Sequence, residues 1–418
     1  MKERILENIN NADYLERLYR ENKQDFSKSF LEITPDYDSE LIRFWKIRLA
    51  PETQSEVTGF LKLDLLVVIL LSLVSGLLVK LPEVFPQIIR ESFYQRNLAI
   101  IVFNGIILYT FWQNRIFDTR RILIYGITLL ILLLYINLLP GSYNPFKVSD
   151  SVTLAFIHVP LFLWCMFGLA FASFEYKNTA KLIEFIRFNG ELIIMTGLIL
   201  IAGGIMTGLT IALFRAIKMD IQKFYIEYVV VFGGVAAPIV SYFLIRLYPN
   251  ITSKIAPVIA RVFTPLVLMT MVVYTISLIF SESRILEDRE LLLAFNMMLL
   301  AVMAIIVFSV SELDKSKEKN INVIILLALA LLAIVIDSIA LIAIITRVTN
   351  GLTPNRTAVL GSNILIFINL ILIAKSLYKA YRKSDQLESV EAVVASYLRV
   401  YALWTIVVIF ILPFIFGL

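Results

Sequence analysis

The sequence predicts an all-α fold, a polytopic transmembrane helical bundle with a short amphipathic helical arm at its amino terminus. Three observations carry this reading. Of 418 residues, 59% are apolar and 17% charged, with a mean hydropathy of +0.82, whereas soluble globular chains hold about 45–50% and about 25%. The apolar excess is gathered into eleven runs, most of them near the ~20 residues that cross a hydrocarbon core as a helix. Finally, Lys and Arg lie mostly between the runs, as loops at an anionic membrane surface do. A net charge of +5 without a basic patch gives no footprint for nucleic acid, so the lipid bilayer is the expected partner.

The single cysteine, Cys165, and single histidine, His158, exclude an intramolecular disulfide and leave too few ligands for thiolate or multi-histidine centres. No cofactor and no metal site is expected. The opening stretch MKERILENINNADYLERLYRENK has no apolar run behind a basic start and no small-residue cleavage site, so the amino terminus is expected to stay cytoplasmic.

Residues 1–58 form the arm. Leu15, Tyr19, Phe26 and Phe30 recur near helical spacing, as do Leu41, Trp45 and Leu49 after the turn signal Thr34-Pro35-Asp36. So short a segment has little core of its own and is expected to pack on the membrane domain or lie at its surface. Residues 59–418 form the membrane domain, with spans at 59–79, 97–112, 122–139, 151–173, 192–213, 225–247, 257–280, 291–310, 321–345, 358–377 and 401–418. The second and the last are the shortest for a crossing. Residues 81–94, interrupted by Pro82 and Pro86, are assigned to the interface. Lys and Arg favour the loops on the arm's side, among them Arg120, Arg121, Lys315, Lys317 and Lys379, which orients the amino terminus inward.

Polar groups inside the spans are the candidate functional residues. Asp337, in ALLAIVIDSIALIAII, is the acidic residue deepest within a span, and an aspartate at membrane depth costs about 2.5–3.5 kcal/mol on insertion scales. It reads either as a proton or cation site or as a structural carboxyl at a helix contact. His158 precedes Pro160, whose ring obstructs the carbonyl of Phe156 and bends a helix. The imidazole can relay protons or simply satisfy freed backbone groups.

In the tenth span Asn355, Ser362, Asn369 and Ser376 recur every seven residues, which returns them to nearly one azimuth. That seam either lines an aqueous or substrate path or hydrogen-bonds a neighbouring helix. Before it, Asn350-Gly351 suits a turn with positive φ, and Thr353 can cap a helix that starts at Pro354. Arg347 and Arg356 beside that helix start are a candidate anion contact. Gly204 and Gly208, with Gly233 and Ala237, suit close pairing of the fifth and sixth spans; Gly203-Gly204 alternatively reads as a helix break of the transporter kind. No Walker loop, GxSxG elbow or HExxH motif occurs, and no enzyme is expected.

The block RVTNGLTPNRTAVLGSNILIFINLILI at 347–373, HVPLFLW at 158–164, the closing ALWTIVVIFILPFIFGL and PDYDSELIRFWKIRLA at 35–50 together resemble the DUF4153 family of bacterial membrane proteins. The resemblance implies a many-helix inner-membrane protein, without an established activity and hence without catalytic residues to carry over. Similar proteins continue into a soluble tail, so either the tail is absent here or the chain is truncated.

The leading expectation is therefore a transporter-like or channel-like protein that binds a small solute or ion at Asp337, Asn355, Ser362, Asn369 and His158. A membrane enzyme acting on a lipid-linked or phosphate-bearing substrate held by Arg347 and Arg356 is the first alternative. A noncatalytic scaffold or sensor whose arm docks a cytoplasmic protein is the second.

Overall fold

The structure is a computed structural model that describes residues 2–21, 39–49, 54–140, 149–216, 219–248, 264–273, 289–313, 321–382 and 387–417, with isolated positions at 26, 29, 30, 33, 257, 260, 275 and 276. It divides into two compact units, Met1–Leu66 and Val67–Leu418. The predicted boundary after residue 58 thus lies eight residues before the observed one.

In the first unit α1 (Lys2–Glu7), α2 (Ala12–Glu21) and α3 (Glu40–Leu49) are short and amphipathic. Asn11 caps α2 through Tyr14 N at 3.1 Å, and Ser39 caps α3 through Ile42 N at 3.2 Å. Their apolar faces close on one another: Ile5, Leu15, Leu18, Phe26, Phe30 and Trp45 are fully buried. The Phe26 and Trp45 rings meet at 5.0 Å and those of Tyr19 and Trp45 at 5.5 Å. The segment thus has a core of its own, built from aromatics because few residues must bury much area. The turn signal Thr34-Pro35-Asp36 lies outside the described residues.

The second unit begins within α4 (Gln54–Val79) and continues through the short α5 (Leu81–Val84), α6 (Arg90–Gln113), α7 (Thr119–Leu138), α8 (Asp150–Phe171), α9 (Thr179–Ala216) and α10 (Gln222–Leu247). The helix α11 (Thr264–Val273) precedes α12 (Arg289–Ser311), α13 (Ile321–Val348), α14 (Pro354–Arg382) and α15 (Leu387–Phe416). Among the described residues eight helices are long and apolar enough to cross a membrane; the protein is a multi-pass integral membrane protein of all-α class. Helix α6 has the length but is not one of the eight, since it opens with Arg90, Glu91 and Arg96.

Two helices differ in extent from their predicted spans. Helix α9 starts at Thr179, well before residue 192, and α15 starts at Leu387 rather than 401. Both early halves carry charges that depress a hydropathy average, yet they are amphipathic: Leu182, Ile183 and Ile186 of α9 and Leu387, Val390 and Val394 of α15 enter one core. Lys181, Arg187 and Arg399 are therefore helical rather than loop residues. At the turn before α9, Lys181 Nζ donates to Glu175 at 2.6 Å and Asn178 donates to it at 3.0 Å. Those bonds, the Lys181 one foremost, hold the Glu175 carboxyl below the usual carboxylate range.

The expected tight pairing at the glycines does not form. A Cβ at Gly204, Gly208 or Gly233 would meet nothing within 4 Å, and the α9–α10 contact runs instead through Thr196 Oγ1, which donates to Ser241 Oγ at 3.0 Å. Nor is there a break at Gly203-Gly204, since α9 is unbroken through it. Helix α8 likewise continues through Pro160.

The core has two centres. One gathers α4 with α6 to α10 around Tyr109, Phe167, Phe185 and Tyr242. The other gathers the first half of α9 with α12 to α15. In the second centre α13 and α14 form an antiparallel hairpin about the short loop at Gly351, whose φ of +113° is the left-handed backbone that the Asn350-Gly351 pair predicts.

Candidate ion site in the α13–α14–α15 core

Helix α13 turns a face of small residues inward. Ala330, Ala333, Ala340 and Ala343 are fully buried, and their size lets α14 approach closely. Asp337 sits on that face and has no accessible surface. Across the hairpin, Asn369 lies among the buried residues of α14 and is 1% exposed. Asp337 is 14 positions before Gly351 and Asn369 is 18 after it, so they differ by four residues of rise, roughly 6 Å along the paired axes. Helix α15 runs antiparallel to α14 and supplies Tyr401, whose hydroxyl oxygen accepts from Asn369 Nδ2 at 3.0 Å. Tyr401 also interacts electrostatically with Asp337, and its ring packs 5.2 Å from that of Tyr397.

The polar atoms of this trio are incompletely matched. Neither Asp337 oxygen, nor Asn369 Oδ1, has a hydrogen-bond partner among the described residues. Most buried polar groups in folded proteins are paired, and an enclosed unpaired charge is far costlier than an enclosed dipole. Three buried acceptors on two adjacent helices thus lack a hydrogen-bond partner among the described residues, and the Tyr401 hydroxyl stands at one of them through its bond from Asn369. Such a set can take a cation or a proton.

The other predicted residues do not join it. Asn355 donates to Asp150 of α8 at 2.7 Å, and lies 14 residues from Asn369, about 21 Å along α14. Ser362 accepts from Trp404 Nε1 of α15 at 2.9 Å. The benzo edge of Trp404 lies against Gly361, where a methyl group would overlap it. Ser376 is buried, and Asn363 donates to Asn296 of α12 at 2.9 Å. Three positions of the α14 seam, Asn355, Ser362 and Asn369, thus bond neighbouring helices.

His158 Nδ1 pairs with the Leu154 carbonyl of its own helix at 2.8 Å, two residues before the Phe156 carbonyl that Pro160 obstructs. Thr353 caps α14 through Arg356 N at 3.3 Å, and α14 starts at Pro354 as its sequence predicts. Arg356 Nη1 donates to the Gly351 carbonyl at 2.7 Å and so braces the turn before α14. Arg347 ends α13.

Tyr401 is the site residue that sequence reasoning missed. It opened the predicted last span and so looked like a boundary residue, although Tyr397, Tyr401 and Trp404 recur at helical spacing along one face. Beyond it, α15 passes into a π-helical stretch at Val407–Ile411. Pro413 offers no N–H to the carbonyl of Ile409, and the Tyr135 hydroxyl of α7 donates to that carbonyl at 2.9 Å. A crevice lined by Thr264, Ser309, Glu312 and Asn322 opens elsewhere; Asn322 is 15 residues from Asp337, about 22 Å along α13. Among the described residues no three His, Cys, Asp or Glu side chains gather as metal ligands.

No protein-family model, curated protein or solved structure matches this chain.

Proposed function

We propose that this membrane protein is transporter-like and binds a small ion or solute between α13, α14 and α15, with Asp337 as its charged group, Asn369 as a second acceptor and Tyr401 as the covering residue. One observation carries the reading. Asp337 is fully enclosed on the inner face of a membrane helix, and neither of its oxygens is hydrogen-bonded among the described residues. An intramembrane acid that no structural partner accounts for is a functional site by default. Enclosure favours a carrier that opens to one side at a time over a channel, which needs a continuous path. The π-helical turn and Pro413 in α15, just beyond Tyr401, supply a plausible point of flexure for such opening.

The test is flux in proteoliposomes prepared from the full chain. Asp337→Asn should abolish ion-coupled uptake while the protein still elutes as a folded species; unchanged uptake would refute the assignment. On the resemblance to DUF4153 and the Lys and Arg bias, the reading extends to a bacterial inner membrane with a cytoplasmic amino terminus. Reporter fusions at both ends of the arm check that orientation. The separately closed core of the first unit also favours a domain that docks a cytoplasmic protein, and deleting residues 1–50 would then eliminate partner capture without preventing membrane insertion.

A further inference from the structure

Which ion the enclosed carboxyl takes follows from counting the atoms around it. We infer that the ligand of Asp337 is a proton, held in a ring of side chains formed with Asn369 and Tyr401. The inference rests on the reading of Asp337 as the functional site.

A dehydrated metal ion needs a shell of oxygens, six or more for the common divalent ions. Transporters that hold sodium obtain many of theirs from backbone carbonyls of unwound helices. Here α13 and α14 run unbroken past the site, from Ile321 to Val348 and from Pro354 to Arg382, so their carbonyls at this level belong to the helix ladders. The unpartnered oxygens are the two of Asp337 and Oδ1 of Asn369; the Tyr401 oxygen already accepts from Asn369. That is too few for a metal.

One proton completes the set. A protonated carboxyl is one donor and one acceptor. Its O–H can donate to Asn369 Oδ1, its other oxygen can accept the Tyr401 O–H, and Asn369 Nδ2 already donates to the Tyr401 oxygen. A side-chain rotation of Asp337 toward its two neighbours closes this three-membered ring, and each acceptor that was unpartnered then has a donor. Proton loss returns a bare carboxylate in an apolar surround, a state that helix movement and water must relieve.

Among the described residues no charged side chain is bonded to Asp337. Glu312, just after α12, pairs with Arg187 at 3.1 Å. On α14, Arg356 bonds the Gly351 carbonyl, while Lys375, Lys379 and Arg382 are exposed. On α15 the titratable groups are Tyr401 and, behind it, Tyr397; Glu388 and Arg399 are exposed, and Glu391 is half-buried ten residues from Tyr401, about 15 Å along the helix. Arg347 of α13 itself is ten residues away, about 15 Å.

The experiment is infrared difference spectroscopy of the full chain in lipid nanodiscs as pH is stepped, with and without sodium, potassium or calcium. A protonated-carboxyl stretch should appear on acidification, be missing in Asp337→Asn, and keep its midpoint when the salts are added. Asn369→Leu removes the acceptor of the neutral form and should lower proton affinity about tenfold; this variant serves if Asp337→Asn fails to fold. A band displaced by one of the cations at constant pH overturns the proton assignment and leaves the site standing. A spectrum unaffected by Asp337→Asn, together with unaltered uptake, removes both. A midpoint that Asn369→Leu does not move overturns the ring.

Discussion

Replacing Asp337 with Asn tests whether the acid is retained for stability or for chemistry. The exchange keeps shape and volume, so neither a cavity nor overpacking enters. In the wild-type arrangement two enclosed oxygens have no hydrogen-bond partner among the described residues, and each such atom costs about 1–3 kcal/mol. The amide places an N–H₂ where it can donate to Asn369 Oδ1 and keeps one oxygen to accept from Tyr401. Recovering one or two bonds at about 1 kcal/mol each, the variant should be more stable by about 1–2 kcal/mol at a pH high enough to leave the wild-type carboxyl without its proton. Unfolding in a graded SDS and detergent mixture, read by tryptophan fluorescence, measures the difference. A variant less stable than wild type by 1 kcal/mol or more would mean that the carboxyl holds the helices together, and the functional argument would fail with it. Stabilisation with loss of transport is the usual signature of a site residue.

Three further outcomes are expected. Gly361→Ala sets a methyl group against the Trp404 ring and should destabilise the α14–α15 contact by about 1–3 kcal/mol, seen as earlier unfolding, whereas Gly204→Ala, which meets open space, should not destabilise. Tyr135→Phe strips the donor from the Ile409 carbonyl and should cost about 1 kcal/mol; Pro413→Ala in that background should restore part of it, and additive effects in the double-mutant cycle would disprove the coupling. Trp45→Ala removes the centre of the aromatic cluster in the first unit and should cost about 3–5 kcal/mol there, so limited proteolysis should open the arm while membrane insertion is retained.

Much of this architecture was legible because hydropathy and helix length speak directly about a bilayer. Asp337 stood out because an acid in an apolar run is costly whatever surrounds it, and Pro354 with Thr353 marked a helix start that depends only on local backbone chemistry. What stayed hidden depends on neighbours. The first halves of α9 and α15 carry charges that hide their apolar stripes in a running average, and only packing on α12 and on one another exposes them as core. The glycines of α9 match a pairing motif, but a motif cannot say whether a partner is present, and here space lies beside them. The seam of α14 was visible as periodicity, while its destination was not: the same spacing serves a pore wall or a row of bonds to Trp404, Tyr401 and Asp150. Tyr401 itself becomes a site residue only through a long-range meeting that no local pattern encodes.

The order in which the chain is made gives the cover over Asp337 a further meaning. Helices α13 and α14 leave the ribosome before α15, so their hairpin enters the bilayer with its acid and its amide uncovered on the side that Tyr401 and Trp404 later occupy. Until α15 arrives, the Asn369 amide lacks the Tyr401 hydroxyl to which it donates. Assembly of this bundle therefore has a late, irreplaceable step, and chains halted before it would present quality-control machinery with a carboxyl stranded in oil.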